Sequence, residues 1–194
     1  GKYCFKRILD ERKQNKNWRL ITNAHFFQGL REGTFLFIIS VLVYISTESE
    51  MALGTFGLIN SGISFIAYYF ASRLIKKDKR KKAILVGGII LYLAVLLIVW
   101  DISYVRLLIY AAMIAVAYPI LLVPYMSTTY DIIGSAWKAA EMRIEYIVVR
   151  EIFINLGRIV SILSFLAAVI WFDEKESIPI LLLFLGAGHS LIYL

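Results

Sequence analysis

Apolar runs long enough to cross a bilayer recur along almost the whole chain, and they constrain its fold more than any other feature. A spanning helix needs about 20 mostly apolar residues. Leu20–Thr47, Ala52–Ile75, Ala83–Trp100, Val105–Met126, Tyr146–Phe172 and Ile178–Leu194 are six such candidates, joined by short connections. In hydrocarbon every backbone N–H and C=O must find a protein partner, and apolar runs of this length are expected to meet that requirement as helices. The sequence predicts an all-α membrane protein of six transmembrane helices, spanning residues 20–194. Residues 1–19 precede it as a basic linker or an interfacial helix. At 60% hydrophobic residues the chain is too apolar for an ordinary soluble domain, which is about 45–50% apolar.

Twenty-one Lys and Arg against fourteen Asp and Glu suggest a nucleic-acid partner until their placement is considered. Seven bases precede Leu20, and seven more (Arg73, Lys76, Lys77, Lys79, Arg80, Lys81 and Lys82) fall between the second and third runs. The connection between the first two runs holds Glu48 and Glu50 and no base, and the one before the last run is DEKE. This alternation follows the positive-inside rule, so both termini and the 73–82 segment are expected in the cytoplasm of a multi-pass plasma-membrane protein. The expected partner of the charge is the lipid bilayer, not nucleic acid.

Cys4 is the only cysteine, which excludes an internal disulfide or a multi-cysteine metal site. The first apolar run follows nineteen mostly polar residues and is too long for a signal peptide. The chain opens with Gly1, not Met, and its last run stops at Leu194, so a piece of a larger protein is expected. Gly-rich phosphate loops, HExxH and nucleophile-elbow patterns are lacking. No enzyme activity, catalytic residue, metal or cofactor is therefore expected.

What remains is charge inside the membrane. An ionised side chain at a helix centre costs about 2.5–3.5 kcal/mol on the insertion scale, so such residues face protein or water and have partners. In the first run Gln28 and Glu32 share a stripe with His25, flanked by Arg31. In the fifth, Glu151, Asn155 and Arg158 lie within about 60° of one another on the helical wheel. Arg143, Glu145 and Arg150 are shallow enough to snorkel. Glu32 and Arg158 each lie about 18 Å from the cytoplasmic end at 1.5 Å per residue, which makes them the simplest pair; Arg31 with Glu151 is a weaker one. Such a pair either serves transport or only fixes helix register. His25 and His189 read as structural. Gly54, Gly57 and Ser61 form a small-residue edge, and Asn60, Ser64 and Tyr68 a second polar strip. Pro119 and Pro124 should kink the fourth helix. The third, AILVGGIILYLAVLLIVW, suits a lipid-facing position.

Three passages carry a family likeness: FFQGLREGTFLFIISVLVY, YYFASRLIKKDKRKKAILVGG and EYIVVREIFINLGRI. Together they resemble the first helix, the basic loop and the fifth helix of one six-helix half of a major facilitator superfamily transporter, the C-terminal half of a Gram-positive bacterial member. The family's loop motif is roughly G-x-x-x-D-R-x-G-R-R. Here a basic pair survives as Arg80–Lys81 or Lys81–Lys82, without the glycines and aspartate. The resemblance implies that helices one and four line a cavity, two and five face the other half, and three and six face lipid. It implies a secondary transporter moving a small solute by alternating access. As a carboxylate buried in the membrane, Glu32 is the candidate for protonation if transport is proton-coupled. The second wall would come from a missing N-terminal half or a second copy of the chain. The alternatives are a non-transport scaffold, with no cavity at Glu32 and with Gly54, Gly57 and Ser61 buried on a partner helix, and a channel, for which no filter pattern is visible.

Overall fold

A computed structural model describes residues 4–171 and 174–192. All regular structure among them is helical: α1 (Phe5–Gln14), α2 (Lys16–Thr47), α3 (Glu50–Leu74), a 3₁₀ turn (Lys77–Lys79), α4 (Arg80–Trp100), α5 (Tyr104–Gly134), α6 (Arg143–Trp171), α7 (Glu174–Gly186) and α8 (Gly188–Leu191). Five helices, α2 to α6 with the 3₁₀ turn joined to α4, are long and apolar enough to cross a membrane. The sixth apolar run divides at Ala187 into α7 and α8, and residues 193–194 lie outside the described part.

Local chemistry sets the boundaries. Asn15, Ser49 and Ser103 cap α2, α3 and α5 by accepting from the backbone N–H of Trp18, Ala52 and Arg106. Glu48, at φ 49°, closes α2 in the left-handed region, and with Ser49 forms a two-residue connection to α3. Helix α5 runs eight residues past the expected end at Met126. The polar stretch that suggested a stop satisfies itself, because Ser127, Thr128 and Thr129 each donate to the carbonyl four residues back. The helix also continues through Pro119 and Pro124, both buried.

Helix α1 turns back at Asn15 onto the ends of α2 and α6. Ile8 is fully buried and its carbonyl accepts from the Trp18 indole at 3.1 Å. Arg12 donates to Thr22 and Asn23 and stacks 4.3 Å over the Phe153 ring. Burial, with Arg19 nearby, holds the Arg12 guanidinium below its ordinary pKa. The Lys13 ammonium, 2.9 Å from Asp10, holds that exposed carboxylate below its ordinary range.

Close packing joins α2 to α6 and α5 to both α3 and α4. At the α2–α6 crossing a Cβ on Gly29 would collide with the Ile154 carbonyl oxygen, and one on Gly157 with that of Phe26. Gly33 meets Ser161 and the Arg158 backbone in the same way. Thr34 and Ser161 hydroxyls close the seam at 3.0 Å. The small-residue pairs that join helices are thus Gly29–Gly33 and Gly157–Ser161. The edge noted in the sequence, Gly54, Gly57 and Ser61, is exposed, and a Cβ on either glycine would meet open space.

Two apolar clusters form the core. One gathers Trp18, Ile21 and Ala24 of α2 with Leu121 and Tyr125 of α5; the other gathers Phe35, Ile39 and Val43 of α2 with Leu107 and Ala111 of α5. Between them, α2 contributes the buried His25, Gln28, Arg31 and Thr34. Helix α4, uniformly apolar in sequence, is buried along one face (Ile84, Gly87, Leu91, Ala94, Val95, Ile98), whereas α3 is mostly exposed, with Met51, Leu58 and Phe65 at 74–80%. Soluble monomers rarely display so much contiguous apolar surface, and lipid is the solvent that suits it.

Candidate polar cavity at mid-depth

Glu32 lies midway along α2 and Arg158 midway along α6. The Arg158 guanidinium donates to Glu32 Oε2 at 2.9 Å, the contact that equal depth suggested. The other carboxylate oxygen accepts from Gln28 Nε2 at 2.8 Å and from the Tyr118 hydroxyl at 2.9 Å. Arg158 also donates to Asn155 Oδ1 at 3.2 Å, and the Asn155 amide donates to the Glu151 carbonyl at 2.9 Å. The pair is only partly buried, with 22% of the Glu32 side chain and 43% of the Arg158 side chain exposed.

The suggested Arg31–Glu151 contact is not made. Helix α2 meets α6 through Gly29 and Gly33, and Arg31 projects about 180° from the middle of that face. It turns to α5, donating to the Tyr110 hydroxyl at 3.3 Å and stacking 4.8 Å over Phe35. Glu151 pairs with the adjacent Arg150. Nor does Arg150 snorkel to the surface: it is 9% exposed.

Sequence reading missed the α5 side of this site. Tyr110, Tyr118 and Tyr125 recur at seven or eight residues, share one face of α5, and each meets a polar residue of α2. Tyr110 receives Arg31, Tyr118 donates to Glu32, and the Tyr125 ring lies 4.8 Å from that of His25. His25 itself is fully buried and its Nδ1–H donates to the Ile21 carbonyl at 2.7 Å. The tyrosine spacing was the available signal.

A cavity of about 730 Å³ opens against this network. Glu32 and Arg31 of α2, Tyr110 and Tyr118 of α5, Arg158 of α6 and His189 of α8 line it, and Asn60 and Ser64 of α3 face them. The second polar strip of the sequence, Tyr68 apart, is therefore part of the same site. Gln28, Glu151 and Asn155 are not among the residues that line the cavity; Gln28 reaches it through Glu32 and Asn155 through Arg158.

The basic loop forms a separate place. Arg80 and Lys77 reach Asp131 at the end of α5 at 2.7 and 3.5 Å, and they line a second hollow of about 720 Å³ with Asp78 and Lys81. Asp131, from another helix, and not the loop's own Asp78 is the carboxylate that pairs with Arg80 and Lys77. Arg73 stacks 4.6 Å from the Tyr69 ring. Lys76, Lys79 and Lys82 are exposed.

The chain is 61% identical over 193 residues to a protein of Bacillus subtilis (strain 168) described as uncharacterized protein YqgE. The match covers all of this chain but 45% of that protein, so the chain spans less than half the length of its relative. No protein-family profile matches the sequence, and no solved structure matches it.

Proposed function

We propose that the chain forms one six-helix half of a secondary transporter of the major facilitator type, in the plasma membrane, moving a small solute by alternating access. The observation that carries this reading is the cavity at mid-depth, into which charged and polar side chains from α2, α3, α5, α6 and α8 converge. Intramembrane charge beside an accessible cavity is what a solute or ion pathway requires. A scaffold would use the Glu32–Arg158 pair to fix register in a closed core, whereas this pair is partly exposed to a large hollow.

In this reading the 73–82 loop and both chain ends face the cytoplasm, as the positive-inside rule asks. Helices α7 and α8 together make the sixth crossing. The second wall of the pathway comes from further helices or from a second copy, and more than half of the B. subtilis relative lies outside the matched region. The outward residues of α3 are open to receive it. No catalytic step or cofactor is assigned; the partners are lipid, the solute and, if transport is proton-driven, protons taken up at Glu32.

The test is gradient-driven uptake or efflux by the full-length protein in proteoliposomes, wild type against Glu32→Gln. The substitution keeps size and removes charge, so coupled transport should fall by at least tenfold while the protein remains folded. Coupling that survives Glu32→Gln unchanged refutes the role given to this site.

A further inference from the structure

The cavity wall carries two guanidinium groups, Arg31 and Arg158, and one carboxylate, Glu32. Arg158 and Glu32 neutralise each other at 2.9 Å. Arg31 has no such counter-ion: no carboxylate lies within ion-pairing distance of it among the described residues. Only 5% exposed, it is held by the neutral Tyr110 hydroxyl and the face of Phe35, and its Nε has no hydrogen-bond partner. A buried cation left this way is expensive unless something of opposite charge arrives.

A second unpartnered group lines the same cavity. His189 is 1% exposed, and neither ring nitrogen has a hydrogen-bond partner among the described residues. Its place beside Arg31 is set by Gly188, where a Cβ would strike the Phe27 carbonyl oxygen and come within 3.3 Å of the Arg31 backbone nitrogen and Cβ. Only glycine lets α8 lie this close to α2. The His189 ring is then 5.5 Å from that of Tyr118, which engages Glu32. One unneutralised fork of donors and one idle imidazole therefore share a hollow whose remaining lining includes Phe56, Leu91, Ile114 and Ile162.

We infer that this cavity binds a small organic carboxylate, with Arg31 as its counter-ion, His189 as a second hydrogen-bonding group, and the apolar lining receiving its hydrocarbon part. One uncompensated positive charge matches a monoanion and leaves a dianion short of a partner. A planar carboxylate suits the guanidinium fork. A cavity of about 730 Å³ lies in the size range of small-molecule sites and far exceeds what a simple ion fills. The inference rests on the transport reading only for what happens to the anion after binding.

The test needs no knowledge of the natural solute. In the full-length protein, with Cys4 and any other thiol removed, Ser64→Cys places a reporter on the α3 side of the cavity. Its rates of modification by a sulfonate-bearing and a trimethylammonium-bearing methanethiosulfonate are compared with those of free cysteine. The anionic reagent should be favoured, and Arg31→Gln should shift the ratio toward the cation by roughly tenfold, as expected for one unit charge acting with opposite sign on the two reagents. Arg31→Lys should keep the ratio and serves as the folding control. Sodium salts of acetate, hexanoate and benzoate are added as protectants, with benzamide and chloride for comparison. Benzoate or hexanoate should protect more strongly than benzamide or chloride, and His189→Phe should weaken that protection severalfold without changing the charge ratio.

A ratio indifferent to Arg31→Gln, protection by benzamide equal to that by benzoate, protection by chloride equal to the best carboxylate, or no protection by any of the three carboxylates overturns the inference. Uptake measured on the same vesicles separates it from the transport reading. Carboxylate protection without movement of any solute keeps the site and removes the transporter. Solute movement that no carboxylate inhibits does the reverse.

Discussion

Replacing Gly157 with alanine adds one methyl group where α2 and α6 touch backbone to backbone. That carbon would overlap the Phe26 carbonyl oxygen and lie 2.9 Å from the Leu30 nitrogen and 3.1 Å from the Gly29 carbonyl carbon. Ordinary contacts fall at 3.4–4 Å, and none of these neighbours is a side chain that can swing aside. The helices must separate by about 1 Å or more to restore van der Waals distance. Overpacking of this kind costs roughly 1–3 kcal/mol, occasionally more. An overlap with backbone on the facing helix belongs in the upper part of that range, about 2–3 kcal/mol. Alanine returns up to about 1 kcal/mol of helix propensity, so the net loss should be about 1–2 kcal/mol. For a chain of this size that is a fall of roughly 2–8 °C in Tm. The same separation stretches the Glu32–Arg158 contact, one residue along α6, beyond its present 2.9 Å. Thermal unfolding of the full-length protein in detergent measures the effect. Gly134→Ala, where the new carbon meets nothing within 4 Å, is the control and should stay within about 0.5 kcal/mol of wild type. If Gly157→Ala melts with the control or above it, the α2–α6 seam is not packed as described.

Tyr118→Phe removes one of the three donors on Glu32 and should cost about 1.5–3 kcal/mol, the range for hydrogen bonds to charged groups; a loss below 0.5 in the same unfolding assay contradicts the contact. Arg158→Met alone strands the Glu32 carboxylate, whereas Arg158→Met with Glu32→Gln does not, so a double-mutant cycle should give a coupling of about 0.5–3 kcal/mol. Simple additivity would mean the pair is not made. Asp131→Asn releases Arg80 and Lys77, both partly or largely exposed, so its cost should stay below about 1 kcal/mol and shrink in high salt. A salt-independent loss of several kcal/mol would show that Asp131 does something else.

Much of the fold is legible because a bilayer admits so few solutions. Long apolar runs must be helices, and charges within them must find partners, so depth alone pointed from Glu32 to Arg158. What escaped is instructive in physical terms. The run GLREG carries Gly29 and Gly33 four residues apart, and GRIVS carries Gly157 and Ser161 likewise. Read as packing faces, they would have turned Arg31 away from α6 and excluded its contact with Glu151. Gly57 and Ser61 meet the same four-residue spacing, yet with Gly54 they face outward here; spacing marks a smooth surface and not its partner. Helix α4 shows the converse. Its buried and exposed faces are equally apolar, because protein interior and lipid ask for the same residues, and no periodicity can separate them. Tyr118 adjoins Pro119, whose missing backbone N–H is the stronger local signal in that segment. The idle state of His189 depends on groups from α2 and α5 and could not be read from its own surroundings in sequence.

The central claim is that the hollow beside Glu32 and Arg158 is a pathway open in turn to the two sides of the membrane. Asn60→Cys, in the full-length protein without other thiols, places a reporter in that hollow. An impermeant thiol reagent is applied to right-side-out and to inverted vesicles, and the two rates of modification are compared. A pathway predicts reaction from both sides, with conditions that speed one rate slowing the other. Reaction from one side alone under every condition, or from neither, would contradict it and leave the charged pair as a structural contact.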